Sequence, residues 1–260
     1  MIDALAAEWL KLRTLRSTSV VLGVVVVVVG LTALLAWYAA GLWDGLPPDQ
    51  RDHLAVSSLP DMTGMVGSLC LAVLGVLAVS GEYATGMIRS TFTVMPSRGR
   101  VLAAKAAVLA VVAFCAGLAA ILATHALGRL IIGDRAIRGQ SAEPLTRQLP
   151  FFLAMSLAIV MFALLGLGLA TITRSAVAAI AVLVAVWYVV PLVAFNLPAP
   201  WGDRLGSVLP GALAGELAGT GNPDSVAGSL LSPAAALAVM IAWVAVPCGV
   251  AAVLLTRRDA

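Results

Sequence analysis

Few residues in this chain could do chemistry on a substrate. Its two histidines, His53 and His125, lie far apart and lack the His-Glu-x-x-His spacing of a zinc protease. The three cysteines, Cys70, Cys115 and Cys248, sit inside apolar runs. They suggest no disulfide framework and read as small apolar fillers. No Gly-x-Ser-x-Gly nucleophile elbow occurs. Nor does a Gly-x-x-x-x-Gly-Lys-Ser/Thr phosphate loop, so ATP hydrolysis by that route is excluded. The expectation is a non-enzyme that binds no metal or cofactor of its own. What remains informative is where the charges stand.

Charged residues make up 11% of the 260 and hydrophobic residues 61%. A soluble domain carries about a quarter charged residues. The deficit predicts a surface that faces lipid. The net charge of +3 is scattered, with no basic stripe, so nucleic acid is not an expected partner. Fourteen of the 16 basic residues are Arg; the two lysines are Lys11 and Lys105. Such an Arg bias, in a chain rich in Ala, Val, Leu and Gly, suggests a GC-rich bacterial genome.

The charges mark off six long apolar intervals. They run between Arg16 and Asp44, Asp61 and Glu82, Lys105 and Arg129, Arg147 and Arg174, Arg174 and Asp203, and Asp224 and Arg257. Each provides the roughly 20 residues needed to cross a 30 Å hydrocarbon core. Helix is the expected conformation, because a lone segment in lipid must satisfy its own backbone groups. The predicted fold class is an all-α membrane protein, one transmembrane domain over residues 1–260. The predicted spans are 18–42, 62–81, 101–126, 151–173, 176–197 and 234–256. The first is too long for a cleaved signal peptide and no clear cleavage site follows it. Leu205 to Gly215 is apolar but too short to cross, and reads as a re-entrant or interfacial hairpin on the outer side.

With the N- and C-termini in the cytoplasm, ten basic residues fall inside and six outside, as the positive-inside rule requires. The loop between spans three and four dissents, with four Arg on the outer face. No Asp, Glu, Lys or Arg lies mid-span, which argues against a carrier coupled through a titrating carboxylate. His125, at the outer end of span three, reads as a boundary residue or a substrate contact. Gly64, Gly67, Gly166 and Ala170 are expected to let helices approach closely, and Pro247 to kink span six.

Two inner-side segments have helical logic. In residues 1–16, Ile2, Leu5, Trp9 and Leu12 share one face, while Glu8, Lys11 and Arg13 take others. This predicts an interfacial helix on the inner leaflet, with Trp9, Lys11 and Arg13 among the membrane lipids. Between spans two and three, Gly81 and Gly86 loosen the backbone. Ile88, Thr91, Phe92 and Met95 form the stripe of a short amphipathic helix, and Pro96 stops it. Arg98, Arg100 and Lys105 then return the chain to headgroup level.

These segments resemble the permease subunits of the ABC-2 family, the membrane half of ATP-binding-cassette exporters. One stretch is EWLKLRTLRST, Glu8 to Thr18. The other is GEY-x-x-G-x-IR…P-x-R-x-RVL-x-AK, carried by Gly81, Glu82, Tyr83, Gly86, Ile88, Arg89, Pro96, Arg98, Arg100, Val101, Leu102, Ala104 and Lys105. Position 87 is Met where Thr is more usual. The resemblance implies a coupling helix between spans two and three that docks on a separate ATPase, which holds ATP and Mg. Its contact residues would be Glu82, Arg89, Phe92 and Met95; a headgroup contact is the alternative for Arg89. It also implies a second permease subunit, identical or paralogous, alternating access driven by the ATPase, and a place in the bacterial cytoplasmic membrane. The competing reading is a membrane interaction or assembly protein with no transport role.

Overall fold

The computed structural model describes residues 2–87, 98–140, 143–198, 200–220 and 230–257. Six of its helices are long and apolar enough to cross a membrane: Arg16–Gly45, Leu59–Ala84, Arg98–Ile132, Leu145–Thr173, Ala176–Phe195 and Pro233–Arg257. They are called spans one to six below. Four of them extend past the predicted limits at both ends, because helical hydrogen bonding continues beyond the last apolar residue. Span three has 35 residues, about 52 Å at 1.5 Å per residue. It overruns the hydrocarbon core and carries Arg98 at one end and Arg129 near the other.

Spans two and four form the centre. Their apolar segments are 61% and 72% buried, against 22%, 11% and 11% for spans one, five and six. Glycine makes this possible. A Cβ on Gly75 would overlap the carbonyl of Ala163, and one on Gly166 the carbonyl of Ala72. Gly64 gives way to Met155, whereas a Cβ on Gly67 would meet Ile159 at an ordinary 3.8 Å. The expected close approach is thus met at Gly64 and Gly166, and Gly75 joins them. The Thr63 and Thr124 hydroxyls, 2.9 Å apart and buried, tie span two to span three.

The spans alternate in direction. Arg98, opening span three, donates to the Leu255 carbonyl near the end of span six at 2.6 Å. The starts of spans one, three and five and the ends of two, four and six therefore share one end of the bundle, the N-terminal end. At the opposite end, Arg135 makes a two-point bridge to Asp44 at 2.7 and 2.9 Å.

Span five is not uniformly α-helical. Ala185–Val189 forms a π-turn, in which the Val190 amide reaches back to the Ala185 carbonyl. Pro191 follows at once. A proline clashes with the carbonyl four residues earlier in an ordinary helix, and the widened turn relieves that crowding. Span six stays helical through Pro247, whose ring packs against Gly168.

The apolar stretch after span five folds as two short helices, Trp201–Val208 and Leu213–Ala218. The Trp243 indole of span six donates to the Val208 carbonyl at 2.9 Å. The Glu216 carboxylate, 2% exposed, accepts from the amides of Leu230 and Leu231.

Candidate functional site

At the N-terminal end, the helix Ile2–Thr14 lies against the bundle. Asp3 in its first turn and Lys11 and Arg13 in its last suit the helix dipole. Its buried face is Ala4, Glu8 and Leu12, spaced one turn apart. The apolar face, expected to lie on the inner leaflet, is divided between the bundle and the exterior. Leu12 is buried and Leu5 packs on the core, but Ile2 is 81% exposed and Trp9 51% exposed. A carboxylate can occupy the centre of a buried face only if it is paired and hydrogen-bonded. Glu8 meets both conditions.

Four charges close into a ring. Lys11 Nζ is 2.9 Å from Glu8 Oε1 and 2.9 Å from Glu82 Oε1. Lys105 Nζ is 2.5 Å from Glu8 Oε2 and 2.9 Å from Glu82 Oε1. Going round, acid alternates with base, and no like charges are neighbours in it. Glu8, Glu82 and Lys105 are each about 5% exposed or less, while Lys11 is half-buried. Burial works against the charge on Lys11. The hydrogen bonds it donates to Glu82 and then Glu8, with their Coulombic attraction, outweigh it and hold the amine above its usual 10.5.

The ring is built from three separate pieces of chain. Glu8 and Lys11 come from the N-terminal helix, Glu82 from the last turn of span two, and Lys105 from the start of span three. Lysine suits the vertices, because a compact ammonium with three donors can serve two carboxylates at once. In a chain with only two lysines, both are here. Beside the ring, Arg174 lies 5.4 Å above the Tyr83 ring. Arg174 sits in the left-handed region, φ 53°, where the chain turns from span four to span five.

Span two ends at Ala84, and Gly86 turns the chain away at φ 70°. The positive φ is the conformational reason for glycine there. Arg89, Phe92 and Met95 lie outside the described residues. Glu82 does not: its carboxylate is buried against Lys11 of the N-terminal helix and Lys105 of span three and is not a free surface group. Arg13 is exposed and Trp9 points away from the bundle. Lys105, expected at headgroup level, is drawn inward to the acids. Sequence reasoning missed Glu8 and Lys105 as ring members. The available signal was the pairing of two lone lysines with two glutamates at three predicted inner-side boundaries. Among the described residues, no group of three His, Cys, Asp or Glu could hold a metal ion.

A helical bundle with six apolar spans defines a multi-pass membrane protein. Residues 4–192 match the family described as ABC-2 family transporter protein. This covers most of the chain, which belongs to that family of permeases. The family is one of membrane transport components, and membership implies partnership with an ABC ATPase subunit. No curated protein matches the chain in sequence.

Proposed function

We propose that this chain is the membrane subunit of a bacterial ATP-binding-cassette exporter in the plasma membrane, with both termini in the cytoplasm. A separate ATPase, carrying ATP and Mg, docks beneath the segment between spans two and three. A second permease subunit, identical or paralogous, completes the path. The observation that carries this reading is the four-charge ring. Glu82 stands just before the segment and Lys105 just after it, and both are locked to the N-terminal helix. A push on this segment would then be delivered to spans two and three and to the N-terminal helix together. A loop without such a clamp would bend and dissipate the push.

In this reading, Arg89 pairs with a carboxylate on the ATPase, Phe92 fills an apolar pocket there and Met95 packs beside it. Glu82 acts from behind, fixing the base of the segment. Exposed Trp9 and Arg13 hold the N-terminal helix in the inner leaflet among lipid headgroups. The two short helices after span five lie on the outer side. Nucleotide-driven closure of the ATPase pair would shift the two membrane halves between inward- and outward-facing states.

The test is Arg89→Glu in the intact complex. Membrane insertion should be unchanged, ATPase co-purification weakened and export lost. Undiminished export by that variant refutes docking through this segment. Cross-linking from position 89 to the ATPase checks the contact directly.

A further inference from the structure

The end of the bundle opposite the ring is open. A cavity of about 820 Å³ runs inward between spans two, three, four and five and the two short helices. Its depth and its mouth differ in character. Phe152, Phe162 and Trp187 furnish the depth. The Phe162 and Trp187 rings meet edge-to-face at 4.4 Å, and Phe152 meets His125 at 5.2 Å. Trp187 belongs to the π-turn of span five, a distortion found often at functional sites. Among the described residues five charged side chains line the mouth: Asp61, Glu143, Arg129, Arg135 and Arg147. Arg135 is bridged to Asp44, and Arg129 and Glu143 are engaged in interactions of their own. That leaves Asp61 of span two and Arg147 of span four, of opposite charge. Among the described residues, neither forms an ion pair within 4.0 Å, with the other or with any other charge. Both are exposed.

The volume falls within the roughly 300–1,000 Å³ of small-molecule pockets, which combine apolar walls with a few placed polar groups. An aromatic depth selects an apolar body. A mouth whose charges not already engaged are one carboxylate and one guanidinium, held on different helices, selects a head that bears both signs. We infer that this cavity binds a single-chain zwitterionic amphiphile, its apolar chain against Trp187 and its head between Asp61 and Arg147. A wholly anionic head would meet Asp61, and a wholly cationic head would meet Arg147. This deepens the exporter reading by naming a ligand class, but binding is measured without ATPase or transport. Its failure would leave the docking of residues 88–97 untouched, and failure of docking would leave the cavity untouched.

The probe is a phosphocholine amphiphile with one brominated acyl chain, because bromine quenches tryptophan on contact. The full chain is placed in nanodiscs of anionic lipid, so that bulk lipid does not supply the zwitterionic head. The expected result is saturable quenching, with its saturable part lost in Trp187→Phe. Asp61→Asn and Arg147→Gln should each weaken binding by about tenfold, the size of one charge-assisted hydrogen bond. Amphiphiles of the same chain with uncharged, anionic or cationic heads should compete at least severalfold less well. Three results would each overturn the inference: quenching that never saturates, equal competition by the uncharged amphiphile, or saturable quenching retained in Trp187→Phe. Quenching seen with one copy per disc but abolished with two would mean that a second copy covers the cavity, and would also overturn it. Trp187→Phe keeps an aromatic ring at the position and so keeps the fold; a monodisperse elution profile for each variant verifies that.

Discussion

The two ends of this bundle treat charge in opposite ways. At the N-terminal end, four charges are drawn into a ring in which every neighbour is of opposite sign. At the other end, apart from the exposed Asp44–Arg135 bridge, Asp61 and Arg147 stand without an ion pair at the mouth of a cavity. Charge that is buried and paired fixes the relative positions of the elements that carry it. Charge held apart at an opening is free to meet a ligand. The same few residue types therefore serve as a clamp at one end and as recognition groups at the other. Removing a charge should have correspondingly different consequences.

The largest effect should come from exchanging two members of the ring. In Glu82→Lys combined with Lys105→Glu, the cation introduced at position 82 faces Lys11, and the carboxylate introduced at position 105 faces Glu8. Two attractive contacts remain and two become repulsive. The variant should lose at least the roughly 3–5 kcal/mol of a broken buried pair. The measurement is the folded fraction in detergent by size exclusion. Reversing all four charges restores the alternation and should recover most of the loss. A two-residue exchange as stable as the parent would mean two independent pairs and would break the comparison.

Single deletions sharpen it. Lys105→Met leaves two buried carboxylates with half their cations, and should cost about 3–5 kcal/mol in denaturant unfolding. Asp61→Asn at the mouth should stay within about 0.5 kcal/mol, as surface changes usually do. Similar costs at the two sites would remove the distinction between clamp and mouth.

Much of the fold could be read from the sequence because lipid penalises charge so heavily. The intervals between Arg16, Asp44, Asp61, Glu82 and the later charges located all six spans, and small residues such as Gly64 and Gly166 marked the tight helix pair. The ring could not be read in the same way. Its members are spread from position 8 to position 105, and each alone looks like an ordinary boundary charge. Apolar periodicity assigned Trp9 to the leaflet, but it gave no sign that Glu8 would occupy the face buried against the bundle, because that burial depends on pairing across three elements. Glu82 looked available to a partner for the same reason. The cavity was invisible because it depends on where six separate elements leave space, and the π-turn that presents Trp187 comes from a local accommodation of Pro191. Among the cavity residues His125 carried a signal of its own, as an ionisable ring near a span boundary.

The smallest predicted effect concerns the least buried vertex of the ring. Lys11 has its amine held above 10.5 by Glu82 and Glu8. A base whose folded-state pKa is raised binds its proton more tightly when folded. Its contribution to stability is therefore complete below the unfolded value, near 10.5, and fades as pH climbs through the folded value. Comparing the wild type with Lys11→Met isolates this group from the others that titrate at high pH. The melting temperatures should differ by at most about 2–4 °C, since a half-exposed pair contributes below roughly 1 kcal/mol. That difference should be flat from pH 8 to 10 and shrink above 10.5. A difference that persists unchanged to pH 11.5 would mean that Lys11 contributes through its methylenes packed on the bundle, and the ring would then owe its closure to Lys105 alone.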